Sequence, residues 1–91
     1  MPINAVWFKV DAESVIPSLQ QALEKVHSAE GELVLDFSSV RRIDSGAVLE
    51  LEKLAGAAEN RAVKTVLCGV NVDIYKVLKL TKLAARFSFL N

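Results

Sequence analysis

The stretch Glu32–Leu54, ELVLDFSSVRRIDSGAVLELEKL, constrains the fold more than any other part of the chain. Its Leu33-Val34-Leu35 run is apolar without interruption, the pattern of a strand covered on both faces. A short, mostly polar crossing follows. Val48, Leu51, Leu54, Ala55 and Ala58 then recur at three- and four-residue spacing, which predicts a helix from about Ser45 to about Asn60. A buried strand that feeds directly into an amphipathic helix is half of a βαβ unit. A chain that contains one must place its next strand parallel to the first.

The flanking segments continue the alternation. Ala5–Val10 is rich in strand formers, with Val6, Phe8 and Val10 on one face and Trp7 and Lys9 on the other. Ser14 is the expected N-cap of a helix with Val15, Ile16, Leu19, Leu23 and Val26 inward and Glu24, Lys25 and His27 facing water. Pro17 lies in the first turn of that helix, where its missing N–H costs nothing. Strands are expected at Glu32–Phe37, Lys64–Val70 and Phe87–Leu90. Asn71 should cap a third helix that turns Ile74, Val77, Leu78 and Leu83 inward. Val40 and Ile43 read as inward anchors on either side of Arg41-Arg42. The order β-α-β-α-β-α-β predicts an α/β fold with a mainly parallel four-stranded sheet, right-handed crossovers and helices packed on it. Residues 1–91 are expected to form a single domain.

Composition narrows the class of function. The 91 residues are 52% hydrophobic and 24% charged, which fits a globular chain. No apolar run approaches the roughly 20 residues needed to cross a bilayer, so no membrane insertion is expected. MPINAVWFKV carries neither a basic flank nor a small-residue cleavage site, so no signal peptide is expected and the protein reads as cytoplasmic. One cysteine and one histidine cannot build a zinc site, and no metal or other cofactor is expected. Zero net charge argues against nucleic-acid binding. Charge is nonetheless uneven, with ten acids against four bases over residues 11–60 and six bases against Asp73 over residues 61–91. Lys76, Lys79, Lys82 and Arg86 fall at helical spacing, either as a solvated face or as a basic stripe for anionic lipid or an acidic partner. Cys68 reads as a small buried hydrophobe, His27 as a surface residue, and Trp7 as either an exposed contact or edge packing. No nucleophile–histidine pair, phosphate loop or metal motif is present, so a binding module is expected and not an enzyme.

The run VLDFSSVRRIDSGAV resembles the central signature of the STAS domain, shared by anti-sigma factor antagonists and sulphate transporters. The elements of that resemblance are Val34-Leu35-Asp36-Phe37-Ser38, then Ile43, then Asp44-Ser45 at a helix start. The tail NVDIYKVLKLTKLAARFSFLN resembles the family's third helix, Leu-rich turn and Phe-containing strand. With matching element order, the resemblance covers most of residues 5–91. Three departures stand out. Gly46 comes one place earlier than in the usual Asp-Ser-Ser/Ala-Gly-Leu, the opening strand pair is reduced to one strand, and no helix follows Phe87–Leu90. Such trimming predicts an exposed sheet edge available for pairing, and hence a possible homodimer.

The resemblance implies a partner-switching regulator that binds a kinase-type anti-sigma factor and is phosphorylated on Ser45. A phosphate adds roughly −1.5 to −2 charges, which helix N–H groups accommodate and a docked partner does not. Asp44 is expected to cap the helix. Gly46 is expected to leave room for a kinase to approach, with Ser38, Arg41 and Arg42 completing the partner-binding surface. The other reading of Asp44-Ser45-Gly46 is an ordinary N-cap and tight turn. Correspondingly, Ser38 and Ser39 shape the turn after the strand, and Arg41 and Arg42 are a solvated crossing. The alternative function is a constitutive STAS scaffold that docks an ABC transporter ATPase or permease, or a sensory assembly, without phosphorylation.

Overall fold

Strand and helix alternate along the whole described chain. The computed structural model describes residues 5–90. Strands β1 (Ala5–Lys9), β2 (Glu32–Asp36), β3 (Lys64–Cys68) and β4 (Ser88–Leu90) alternate with helices α1 (Val15–Ser28), α2 (Ser45–Asn60) and α3 (Val72–Leu80). The sheet order is β1-β2-β3-β4 and every pairing is parallel, as the alternation predicts. Sequential order combined with right-handed crossovers puts successive helices on the same side of a sheet. One apolar cluster accordingly joins Leu33, Leu35 and Leu67 to residues of all three helices.

Register fixes which side chains meet the helices. Val6 pairs with Leu33, Phe8 with Leu35, Leu35 with Leu67 and Leu67 with Phe89, so these residues share the helix-facing side. Leu19, Ala22 and Val26 of α1, Leu51 and Leu54 of α2, and Ile74 and Leu78 of α3 close over them. Each fully buried leucine contributes about 1.5–3 kcal/mol. The opposite face carries Trp7, Lys9, Glu32, Val34, Asp36, Val66, Cys68 and Leu90. Val34 and Val66 are buried, whereas Trp7 is 64% exposed. That exposure favours the reading of Trp7 as a surface contact over edge packing.

The first three strands end earlier than the apolar runs suggest. Val10 and Phe37 still donate N–H bonds across the sheet, to Asp36 and Cys68 carbonyls at 2.9 and 2.8 Å, before the backbone turns away. Strand β3 ends at Cys68, two residues before the expected end at Val70, because Gly69 turns the chain with a φ of +72°. Cys68 is half-buried on the face away from the helices, and so is not the buried core residue expected from its apolar neighbours. Desolvation, followed by the charge of Asp36, pushes its thiol pKa up.

The helix ends bring two further corrections. Ser14 holds the N-cap position of α1, but its side chain makes no capping bond. The preceding turn is instead closed by Asp11, whose carbonyl accepts from Ser14 N–H and whose Oδ1 accepts from Glu13 N–H. Helix α3 stops at Leu80, and Lys82 takes a left-handed φ of 66°. Arg86 therefore lies in a separate 3-10 turn, Ala84–Arg86, where its guanidinium grips both Glu59 oxygens at 2.8 and 2.9 Å. The expected four-residue basic stripe is thus reduced to Lys76, Lys79 and Lys82. Leu83 is buried, as its position in the pattern predicts.

Candidate functional site at the carboxyl end of the sheet

In a parallel α/β unit every helix begins where a strand ends, so helix N-termini gather at the carboxyl edge of the sheet. The approach to α2 is built residue by residue. Asp36 Oδ1 accepts from Ser38 N–H at 2.8 Å, and Val40 N–H donates to the Phe37 carbonyl at 2.9 Å. Ser38 and Ser39 therefore occupy the two central positions of a tight turn, both exposed. The N–H and hydroxyl of Ser38 hold the Asp36 carboxyl below its ordinary pKa range.

Val40 then buries itself in the core, and Ile43 packs against the core, half-buried. Between them Arg41 and Arg42 are exposed. Their loop is tied to the start of α3, because Asn71 Nδ2 donates to the Arg41 carbonyl at 2.9 Å. The Asn71 Oδ1 atom at the same time caps α3 through Ile74 N–H at 2.8 Å. The sequence marks Asn71 as a cap only. Its second role joins residues 30 apart and has no local signal.

Asp44 caps α2 as expected, with Oδ1 accepting from Ala47 N–H at 2.9 Å. Ser45 is the first residue of this 16-residue helix and is exposed. Its hydroxyl stands in the turn where backbone N–H groups lack intrahelical acceptors and the helix dipole favours negative charge. Gly46 departs from expectation. A Cβ on it would lie 2.7 Å from Ile16 Cδ1, so the space left by the missing side chain is taken by α1. Room for a kinase is therefore not what Gly46 supplies.

That close approach brings the starts of α1 and α2 together around an open cleft of about 480 Å³. Glu13, Ser14, Ile16 and Pro17 form one wall, and Arg42, Ile43 and Asp44 the other. A second shallow depression runs from Arg42 through Arg41 to Ser39 and Ala12. Asp44, Arg41 and Arg42 thus lie on one continuous surface, with Ser45 exposed beside it. Ser38 faces solvent but lines neither hollow. The contribution of α1 was missed in the sequence, and the only hint of it is the pair of small residues Gly46-Ala47.

The sequence matches the family model of the STAS domain over residues 9–91. The chain belongs to the STAS domain family. No curated protein matches the sequence significantly. Among solved structures, this STAS domain is similar to the crystal structure of TM1081 of Thermotoga maritima, provisionally described as an anti-sigma factor antagonist. That match has a TM-score of 0.67 and 20% identity, covering 100% of this chain and 75% of the other. The NMR structure of the same protein gives a TM-score of 0.76 at 16% identity, covering 100% and 77%. At such identity the likeness is one of fold, and it agrees with the STAS architecture expected from the signature and tail.

Proposed function

We propose that this STAS domain is a non-enzymatic, protein-binding regulator whose partner is released when Ser45 is phosphorylated. The observation that carries the reading is Ser45 itself, exposed at the start of α2 beside the cleft formed with α1. The description of TM1081 as an anti-sigma factor antagonist supports the same role for a chain of the same fold. Asp44 already holds Ala47 N–H, so the loop is ordered before any partner arrives. A phosphate on Ser45 would face the first N–H groups of the helix, and Arg42 flanks the approach. The fold then tolerates the modification, while a partner seated on Asp44, Ser45, Arg41, Arg42 and Ser38 meets new charge and bulk. The partner class is a kinase-type anti-sigma factor in the cytoplasm.

A direct test incubates the protein with such a kinase and ATP and maps the site by mass spectrometry. Phosphate on Ser45, absent from Ser45→Ala, together with partner binding at least tenfold weaker in Ser45→Asp, is the expected result. Phosphate confined to other residues removes Ser45 from the mechanism, and undiminished binding by Ser45→Asp removes the switch. The packing of Ile16 against Gly46 favours a second reading, because it alters the surface a kinase would read. On that reading the domain is a constitutive scaffold for an ABC transporter ATPase or permease. Stable co-purification with such a protein, with no phosphoserine, supports that alternative.

A further inference from the structure

The outer face of α3 combines two features that a solvated helix seldom carries together. Val72, Lys76 and Leu80 are spaced four apart and so stand in one row along the helix, about 12 Å long. They lie opposite the side that buries Ile74 and Leu78. Val72 is 68% exposed and Leu80 84% exposed, the two highest values among the exposed large hydrophobic residues. Lys79 borders the row, Lys82 stands just beyond its end, and Asp73 is the single acid on the helix. No ion pair among the described residues involves Lys76, Lys79 or Lys82.

Lys82 adds a separate observation. Its φ of 66° is the left-handed conformation that closes the helix, a position where glycine is less strained. A lysine there keeps a third exposed positive charge two residues after Leu80 in spite of the backbone strain.

We propose that this face docks peripherally on an anionic membrane surface, with Leu80 and Val72 entering the headgroup layer and the three lysines contacting anionic headgroups. Charge complementarity selects the anionic surface. Shape favours a bilayer over an acidic protein. Leu80 projects as a ridge with little of its side chain against its own fold, and a bilayer interface yields around such a residue where a protein must offer a matching pocket. The α3 N-terminus lies near Arg41 through Asn71, so Leu80 and Lys82 are at the far end of the helix from the Ser45 surface. Both surfaces are therefore free to be occupied at once, and the inference does not depend on phosphorylation.

The test is sedimentation of the full chain with large unilamellar vesicles, of phosphatidylcholine alone or with about a third phosphatidylglycerol. Binding is expected only with the anionic lipid, and it should fall by about fivefold for each lysine replaced among Lys76→Ala, Lys79→Ala and Lys82→Ala. It should fall about tenfold in Leu80→Ser and vanish at high salt. Leu49→Ser removes a 52% exposed leucine on α2 and is expected to leave binding unchanged. Circular dichroism and melting of each variant separate loss of the surface from loss of the fold. Equal partitioning to both vesicle types, or an unaffected triple lysine variant, overturns the proposal. So does an acidic protein captured through the same lysines by a chain that ignores both vesicles.

Discussion

Ile16 of α1 stands over Gly46 of α2 so closely that its Cδ1 would lie 2.7 Å from a Cβ placed there. The contact draws the two helix starts together and makes one wall of the cleft beside Ser45 continuous with the other. It also assigns Gly46 a packing role. Two effects oppose each other in Gly46→Ala. Alanine gains up to about 1 kcal/mol of helix propensity, and the crowded methyl of Ile16 takes most of it back. We expect a net change below about 0.5 kcal/mol in denaturant unfolding. In an Ile16→Val background, which lacks the Cδ1 atom, Gly46→Ala should stabilise by about 0.5–1 kcal/mol. Equal effects in both backgrounds would show that the two residues are not coupled.

Gly69 makes a less forgiving contact. It has a φ of +72°, and a Cβ there would lie 2.8 Å from both the Cα and the N of Ser38. The obstacle is backbone, and it belongs to the turn that leads to Asp44-Ser45. Gly69→Ala should cost more than about 2 kcal/mol, combining left-handed strain with displacement of the turn. Urea unfolding measures the loss, and amide shifts at Ser38 and Ser39 should move with it.

Ala62 offers the reverse case. Its φ of 57° ends α2, with Val63 N–H donating back to the Ala58 carbonyl at 2.8 Å. Ala62→Gly relieves left-handed strain at an exposed position and should stabilise by about 0.5–1 kcal/mol. A rise in thermal midpoint without change in partner binding is the expected result.

Asp36 is one of two carboxylates, with Glu59, expected to contribute to acid sensitivity. Its pKa is lowered first by the Ser38 N–H and then by the Ser38 hydroxyl. A carboxylate with a depressed folded value contributes stability in full above its unfolded value, near about 4. That contribution is lost as pH falls through the folded value. Asp36→Asn should therefore be less stable than the parent at neutral pH, with the difference shrinking steadily below about pH 4. Chemical unfolding across that range reads the slope directly, and a constant difference would exclude the linkage.

Thr65 is buried on the helix-facing side of β3, and its Oγ1 has no hydrogen-bond partner among the described residues. Thr65→Val keeps the shape and removes the unpaired group. It should raise stability by about 1 kcal/mol in the same unfolding assay.

The architecture is legible in the sequence because the signals for it are local. The unbroken Leu33-Val34-Leu35 run, the three- and four-residue spacing through Val48, Leu51 and Leu54, and the caps Asp44 and Asn71 each depend on residues within a turn or two of one another. Parallel pairing then follows from the alternation, and the sheet and helices appear where those patterns lie. The surroundings of Ser45 depend instead on long-range packing. That Ile16 fills the space beside Gly46, that Asn71 ties α3 to the Arg41 carbonyl, and that Arg86 leaves the lysine stripe to grip Glu59 are contacts across 30, 30 and 27 positions. Nothing in a local pattern encodes them, because they arise when separate helices settle on one sheet and close packing selects which side chains touch.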